Sequence, residues 1–202
     1  MRRIKTVLLL FPLAISMGLI AVSVSFVRNA EMVLSPEMIQ TLAYSLMLLT
    51  TFVFIGLSKK SLASVGLFRR RMGYQLIMGG LIAAAFLIVG GILTGWRFTP
   101  KVDSLSFLLS QALVVFTEEL LFRGYVLAVL RDVVKTSGQA VALSALVFGL
   151  WHYPISHNLG LVLITFFTGA VYGALRTVFE RTDKEIGILS LSMAHWLMNV
   201  IL

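Results

Sequence analysis

The chain has 202 residues, of which 58% are hydrophobic and only 13% charged, with no cysteine. A soluble domain carries about a quarter charged residues and a disordered one lacks hydrophobicity, so composition points to a single integral membrane domain over residues 1–202. The net charge of +8 then reads as basic loops that set topology rather than as a nucleic-acid surface, and the missing cysteines exclude disulfides, zinc–thiolate sites and thiol catalysis.

At about 20 residues per span, the apolar runs predict an all-α, polytopic transmembrane bundle of about seven spans. The first covers about Ile4 to Val27 behind Arg2, Arg3 and Lys5. It is longer than a signal peptide's apolar core of about 7–15 residues, so an uncleaved span is expected. The second runs from Glu37 to Ser58 and stops at Lys59-Lys60. Residues 61–71, ending in Arg69-Arg70-Arg71, are too short to span and are expected to lie at the interface with Leu62, Val65 and Phe68 dipping in. The third covers Tyr74 to Gly95, followed by a polar loop from Trp96 to Asp103. The fourth, Leu105 to Leu130, carries Glu118, Glu119 and Arg123 inside an apolar run. The fifth, Ala140 to His152, ends before Pro154, which disfavours helix at Tyr153. The sixth covers Leu159 to Arg176, and the seventh runs from Ile186 to the C-terminus with His195 and Asn199 inside it.

Loop charges select one orientation. With the N-terminus in the cytoplasm, the cytoplasmic segments hold Arg2, Arg3, Lys5, Lys59, Lys60, Arg69, Arg70, Arg71, Arg131, Lys135, Arg176, Arg181 and Lys184. The opposite side holds only Arg28, Arg97 and Lys101. Such a bias is the positive-inside signature.

A charge at the bilayer centre costs at least about 2.5–3.5 kcal/mol, so the charges kept at depth carry information. Asp103, Asp132, Asp183, Glu180 and Glu185 fall in loops, leaving Glu118, Glu119 and Arg123. At about 1.5 Å rise per residue, Glu118 lies about 20 Å from Arg131, His152 about 18 Å from Ala140, and His195 and Asn199 about 14 and 20 Å from Ile186. Four polar groups on three helices therefore reach one layer. Glu119 and Arg123 are i,i+4 and can pair. Glu118 is rotated about 100° away and is available to another partner. His195 with Asn199, and Phe148 with His152, also share faces.

A carboxylate without a cation beside it suits general acid–base work, and histidine and asparagine can orient water or donate to an oxyanion. The same donors allow a second chemistry, in which Glu118, His152 and His195 ligate a catalytic zinc with an open position. Other hydrolase plans fail: there is no His-Glu-x-x-His and no Gly-x-Ser-x-Gly, and no Asp lies in a span. Nothing singles out Ser144 or Ser192 as a nucleophile. His157 reads as a solvated loop residue. Gly79-Gly80, Gly90-Gly91 and the Gly169/Gly173 pair read as sites of close helix packing.

At these residues the sequence resembles the CAAX protease and bacteriocin-processing (CPBP, or Abi) family of intramembrane endopeptidases. Glu118-Glu119-Leu-Leu-Phe-Arg123 is similar to its Glu-Glu-x-x-x-Arg motif, Phe148-Gly-Leu-Trp-His152 to its Phe-x-x-x-His, and His195-Trp-Leu-Met-Asn199 to its His-x-x-x-Asn. Phe166-Phe167-Thr168-Gly169 also looks like the family's. The likeness covers residues 105–202, whereas the first hundred match only as apolar helices.

The resemblance implies hydrolysis of peptide bonds in membrane-associated substrates. Glu118 would activate water with His152, and His195 and Asn199 would stabilise the oxyanion. Glu119 and Arg123 would shape the site or contact substrate, with Phe148 packing beside them. The family has been described both as metalloproteases and as glutamate-dependent enzymes. A metal-free site is favoured here because a divalent ion prefers more than one anionic ligand and Glu119 can pair with Arg123. Substrates implied by the family are lipidated CAAX proteins or bacteriocin-like peptides, and the chain's brevity suggests a prokaryotic cell membrane. Two other classes compete: a non-catalytic immunity or scaffold membrane protein, against which the complete motif set argues, and a proton-coupled transporter, against which the lack of paired, Gly/Pro-interrupted spans argues.

Overall fold

The structure is a computed structural model that describes residues 2–28, 35–67, 71–98, 100, 104–180 and 185–201. Phe68, Arg69, Arg70, Lys101, Asp103, Arg181, Asp183 and Lys184 lie outside the described residues, as do the side chains of Arg2, Arg3, Lys5 and Arg28.

Among the described residues every regular element is helical: α1 (Arg2–Arg28), α2 (Pro36–Leu57), α3 (Met72–Thr94), α4 (Leu105–Glu119), a π segment (Leu120–Val126), α5 (Leu127–Leu130), α6 (Ser137–Trp151), α7 (Tyr153–Ser156), α8 (Leu159–Val178) and α9 (Ile188–Ile201). Within the described residues each of the seven predicted apolar runs is largely helical. Among the described residues three helices are long and apolar enough to cross a membrane, over Pro36–Leu57, Met72–Leu93 and Leu159–Val178, while Phe11–Val27 and Ile188–Ile201 are shorter apolar helices.

Polar caps set the boundaries. Ser35 accepts from the Met38 amide ahead of α2, with Pro36 in the first turn where its missing N–H costs nothing. Ser104 caps α4, and Thr136 with Gln139 forms a capping box on α6. Pro154 does not end helical structure outright, because it occupies the first turn of α7 after a break at His152.

The charged run lies at the centre of the bundle. α4 packs on α2 and α9, and the π segment that continues it touches α2, α6, α8 and α9. Two helix pairs flank it, α6 with α8 and α3 with α9. Both rely on glycine at the crossing. A Cβ on Gly79 would sit 2.6 Å from the Ser190 carbonyl oxygen, and one on Gly173 would sit 3.1 Å from Val141, so these glycines admit close helix approach. Gly80 has open space around it and plays no such part.

Part of the segment expected at the interface packs into protein. Leu62 stays 40% exposed, but Val65 and Leu67 are buried in the core. Gly66 makes this possible with a backbone φ of +88°, a left-handed conformation that favours glycine. Its carbonyl accepts from the Ile188 amide at 3.1 Å, tying the turn to the start of α9.

A correction concerns Arg176, expected on the cytoplasmic flank. Arg176 is 1% exposed. It donates to Glu185 at 3.5 Å and lies 3.4 Å from Glu180. Glu185 is itself buried, and Glu180 also pairs with Arg131. The end of a long apolar helix looks the same in sequence whether it emerges into water or into a polar layer of the protein.

Candidate active site

Glu118 and Glu119 close α4 and are both buried, at 4% and 0% exposed. The neighbouring carboxylates face different surroundings, as their 100° separation requires. Glu119 Oε1 lies 3.1 Å from Arg123 Nη1 and accepts from His195 Nδ1 at 2.9 Å. Glu118 Oε1 accepts from the Tyr44 hydroxyl at 2.8 Å, and among the described residues no cation pairs with it.

The helix changes character directly after the two acids. Leu120–Val126 forms a π segment, all of it buried. Such turns carry i→i+5 bonding and recur at functional sites. The Ser144 hydroxyl of α6 donates to the Phe122 carbonyl within it at 2.9 Å. That bond commits Ser144 to structure. Ser192 is buried on α9 and lines an apolar cleft with Trp196 and Val115.

Phe148 organises the middle of the site. The Arg123 guanidinium lies 3.9 Å from its ring centroid, with Tyr172 of α8 on a second side at 5.6 Å. Phe122, His152 and His195 meet the same Phe148 ring edge-on, at 5.0, 4.7 and 6.3 Å. Gly169 gives the guanidinium its room, since a Cβ there would come within 3.1 Å of both Arg123 Nη2 and Phe148. The role foreseen for Phe148 was packing; the structure adds a cation–π contact, worth about 2 kcal/mol or more when desolvated.

Both histidines are half-buried and oriented through Nδ1. His152 Nδ1 contacts the Phe148 carbonyl oxygen at 2.9 Å. A carbonyl only accepts, so Nδ1 carries a proton, and in the neutral ring Nε2 keeps its lone pair. His195 Nδ1 donates to Glu119, so this acid serves two partners rather than Arg123 alone. Asn199 follows one turn later on α9, half-buried. Trp196 of the same helix donates to the Leu108 carbonyl of α4 at 3.0 Å, fixing the two helices together. His157 lies apart, exposed, at the left-handed end of α7 with φ of 50°.

As possible metal ligands the set fits poorly. Among the described residues no three His, Asp or Glu side chains gather closely enough to hold an ion.

Sequence reasoning missed two groups. Tyr44 offers no signal beyond a hydroxyl in an apolar helix, and Tyr172 reads as ordinary aromatic core. The carboxylates, guanidinium and histidines were visible because each is expensive in an apolar run.

A model of the family described as type II CAAX prenyl endopeptidase Rce1-like matches residues 99–201. No curated protein and no solved structure matches the chain. The matched stretch contains all three motifs, which α4, α6 and α9 bring around one Phe148 ring, and the chain accordingly belongs to the type II CAAX prenyl endopeptidase Rce1-like family.

Proposed function

We propose that the protein is a multi-pass membrane endopeptidase that cleaves membrane-associated peptide chains with water activated by Glu118, without a metal ion. The family is one of CAAX-type proteases, so a peptide or protein is the substrate. The observation that carries the mechanism is the unequal pairing of two adjacent carboxylates. Glu119 is bound by a guanidinium and an imidazole, whereas Glu118 meets a neutral phenol. Glu118 is therefore the acid that is not committed to a cation.

The steps follow from donor and acceptor roles. His152 Nε2, with its lone pair, accepts from the water and orients it. Glu118 takes a proton as the water oxygen attacks the scissile carbonyl carbon. The resulting oxyanion is met by the Asn199 amide and, when the His195 ring carries both protons, by its Nε2–H. Glu119 stays charged and stabilises that imidazolium through Nδ1. As the C–N bond breaks, Glu118 returns its proton to the leaving nitrogen, giving an amine and a carboxylic acid, which then passes its own proton to the amine.

The same reading places seven spans with the N-terminus in the cytoplasm of a prokaryotic cell. Lys60 pairs with Asp132 at 2.9 Å and Arg131 with Glu180, so the ends of α2, α5 and α8 share one side of the bundle, as the basic loops require. Moving Arg176 from loop to core leaves the bias intact.

The test is cleavage of prenylated and unprenylated CAAX peptides by purified protein in lipid nanodiscs. Glu118→Gln is expected to lower kcat by about 1000-fold, within the 10²–10⁴ range of a general base, with the thermal midpoint unchanged. Wild-type activity should persist in a strong chelator. Full activity of a folded Glu118→Gln variant overturns the base assignment, and loss of activity in chelator restored by zinc overturns the metal-free one.

A further inference from the structure

We propose that Tyr44 is a positioning residue for this reaction, holding one oxygen of the Glu118 carboxylate from a helix outside the motif-bearing half of the chain. The inference rests on Glu118 as the base. Tyr44 is 4% exposed and lies on the inward stripe of α2 with Met47, Thr51 and Ile55. Its hydroxyl spans 74 positions of sequence to reach Glu118 Oε1 at 2.8 Å. Trp151, the residue before His152, lies beside the same hydroxyl. The phenol thus stands where the Glu-Glu helix and the Phe-x-x-x-His helix meet.

A glutamate side chain has three rotatable bonds, and a base must hold its proton-accepting oxygen within hydrogen-bond reach of the water. Glu119 is fixed by two charged or polar partners. Among the described residues Glu118 has one hydrogen-bond anchor, and that anchor is Tyr44. A phenol suits the task because it donates one hydrogen bond without adding a positive charge beside the carboxylate. It fixes Oε1 and leaves Oε2 for water.

The Tyr44 ring has a separate surrounding. It forms part of the wall of a cavity of about 430 Å3 between α1 and α2, with Ile20, Val24, Ile39, Phe107 and Ile155. Replacing the hydroxyl alone leaves that wall in place, so the cavity's shape and the hydrogen bond to Glu118 can be tested apart.

Tyr44→Phe removes one oxygen and keeps the ring. Its kcat is expected to fall by about 10- to 100-fold, the cost of a misplaced catalytic group, with KM and the thermal midpoint unchanged. The Glu118 carboxyl band, identified in the infrared spectrum as the one lost in Glu118→Gln, is expected to move in Tyr44→Phe. Should that variant fail to fold, 3-fluorotyrosine at position 44 keeps both ring and hydroxyl. As a stronger donor it should move the same band in the opposite direction to the loss of the bond. An unmoved band in either protein overturns the proposal, as does a rise in KM with kcat unchanged, which would make Tyr44 a cavity wall only. Full activity of Glu118→Gln would instead remove the base assignment, whether or not the band moves.

Discussion

Arg123 and Arg176 are both almost wholly buried in the same bundle, and the protein holds them in different ways. Arg123 rests on aromatic rings. Its guanidinium lies over Phe148 and near Tyr172, and its carboxylate partner Glu119 is shared with His195. Neither terminal nitrogen of Arg123, nor Glu119 Oε2, completes a hydrogen bond of good geometry. Arg176 instead meets two carboxylates, Glu180 and Glu185, against the Gly66 turn. Beside it Gln75 of α3 donates to the Glu185 carbonyl at 3.2 Å and accepts from the Gly187 amide and the Ser190 hydroxyl. The first cluster keeps polar capacity unspent next to two histidines, which suits a place where charge shifts during a reaction. The second spends its capacity on tying α3, α8 and the start of α9 together.

Three substitutions can break or sharpen that contrast. The largest effect is expected from Glu119→Gln. It leaves the Arg123 charge buried on aromatic rings and His195 without its anion, a loss of about 3–5 kcal/mol as for other halved buried pairs. Peptidase activity per folded molecule should also fall, by about 100-fold or more, the scale of losing oxyanion support. Denaturation in mixed micelles together with kcat on the folded fraction measures both.

Arg176→Met comes next. It takes the buried guanidinium away from Glu185 and Glu180, and should cost about 3 kcal/mol of unfolding free energy with kcat per folded molecule close to wild type. A parallel loss of kcat would abolish the distinction between the clusters, because it would show that the layer beneath α9 sets the geometry of His195. Gln75→Leu should have the smallest effect, about 1–2 kcal/mol, from the Gly187 amide and Ser190 hydroxyl left without their acceptor. Hydrogen exchange should locate that loss at the first turn of α9, and uniform loss across the bundle would contradict the local role.

The two clusters were unequally legible in the sequence. Glu118, Glu119 and Arg123 stand in the middle of an apolar run, where nothing but a partner or a function compensates their cost. Arg176 stands at the end of one, where a basic residue is the ordinary mark of a cytoplasmic flank, so the letters fit both outcomes. The helix positions followed from runs of apolar residues and from Pro and Gly breaks. The rotation of α9, which brings His195 to Glu119, depends on packing against Gly79 and Leu108 and has no local signal. Tyr44 was invisible for a related reason: an aromatic in an apolar helix reads as packing until its hydroxyl is seen to meet a carboxylate 74 residues away.

The π segment makes the length of this helix as much a part of the site as its letters. Leu120–Val126 accommodates one residue more than a plain α-helix would over the same path. Deleting any single residue there would let the backbone relax into regular α-helix at little local cost. Everything beyond it would keep its facing, because the extra residue is taken up over the same path. Arg131 would still reach Glu180 and Thr177, and Asp132 Lys60. What would change is the stretch itself, which holds the Phe122 carbonyl met by Ser144 and the Arg123 guanidinium met by Glu119. A one-residue gap at this point is thus expected to spare the fold and to disturb the site. The stretch works as slack in the helix, taken up between the acids at one end and the ion pairs that lock the bundle at the other.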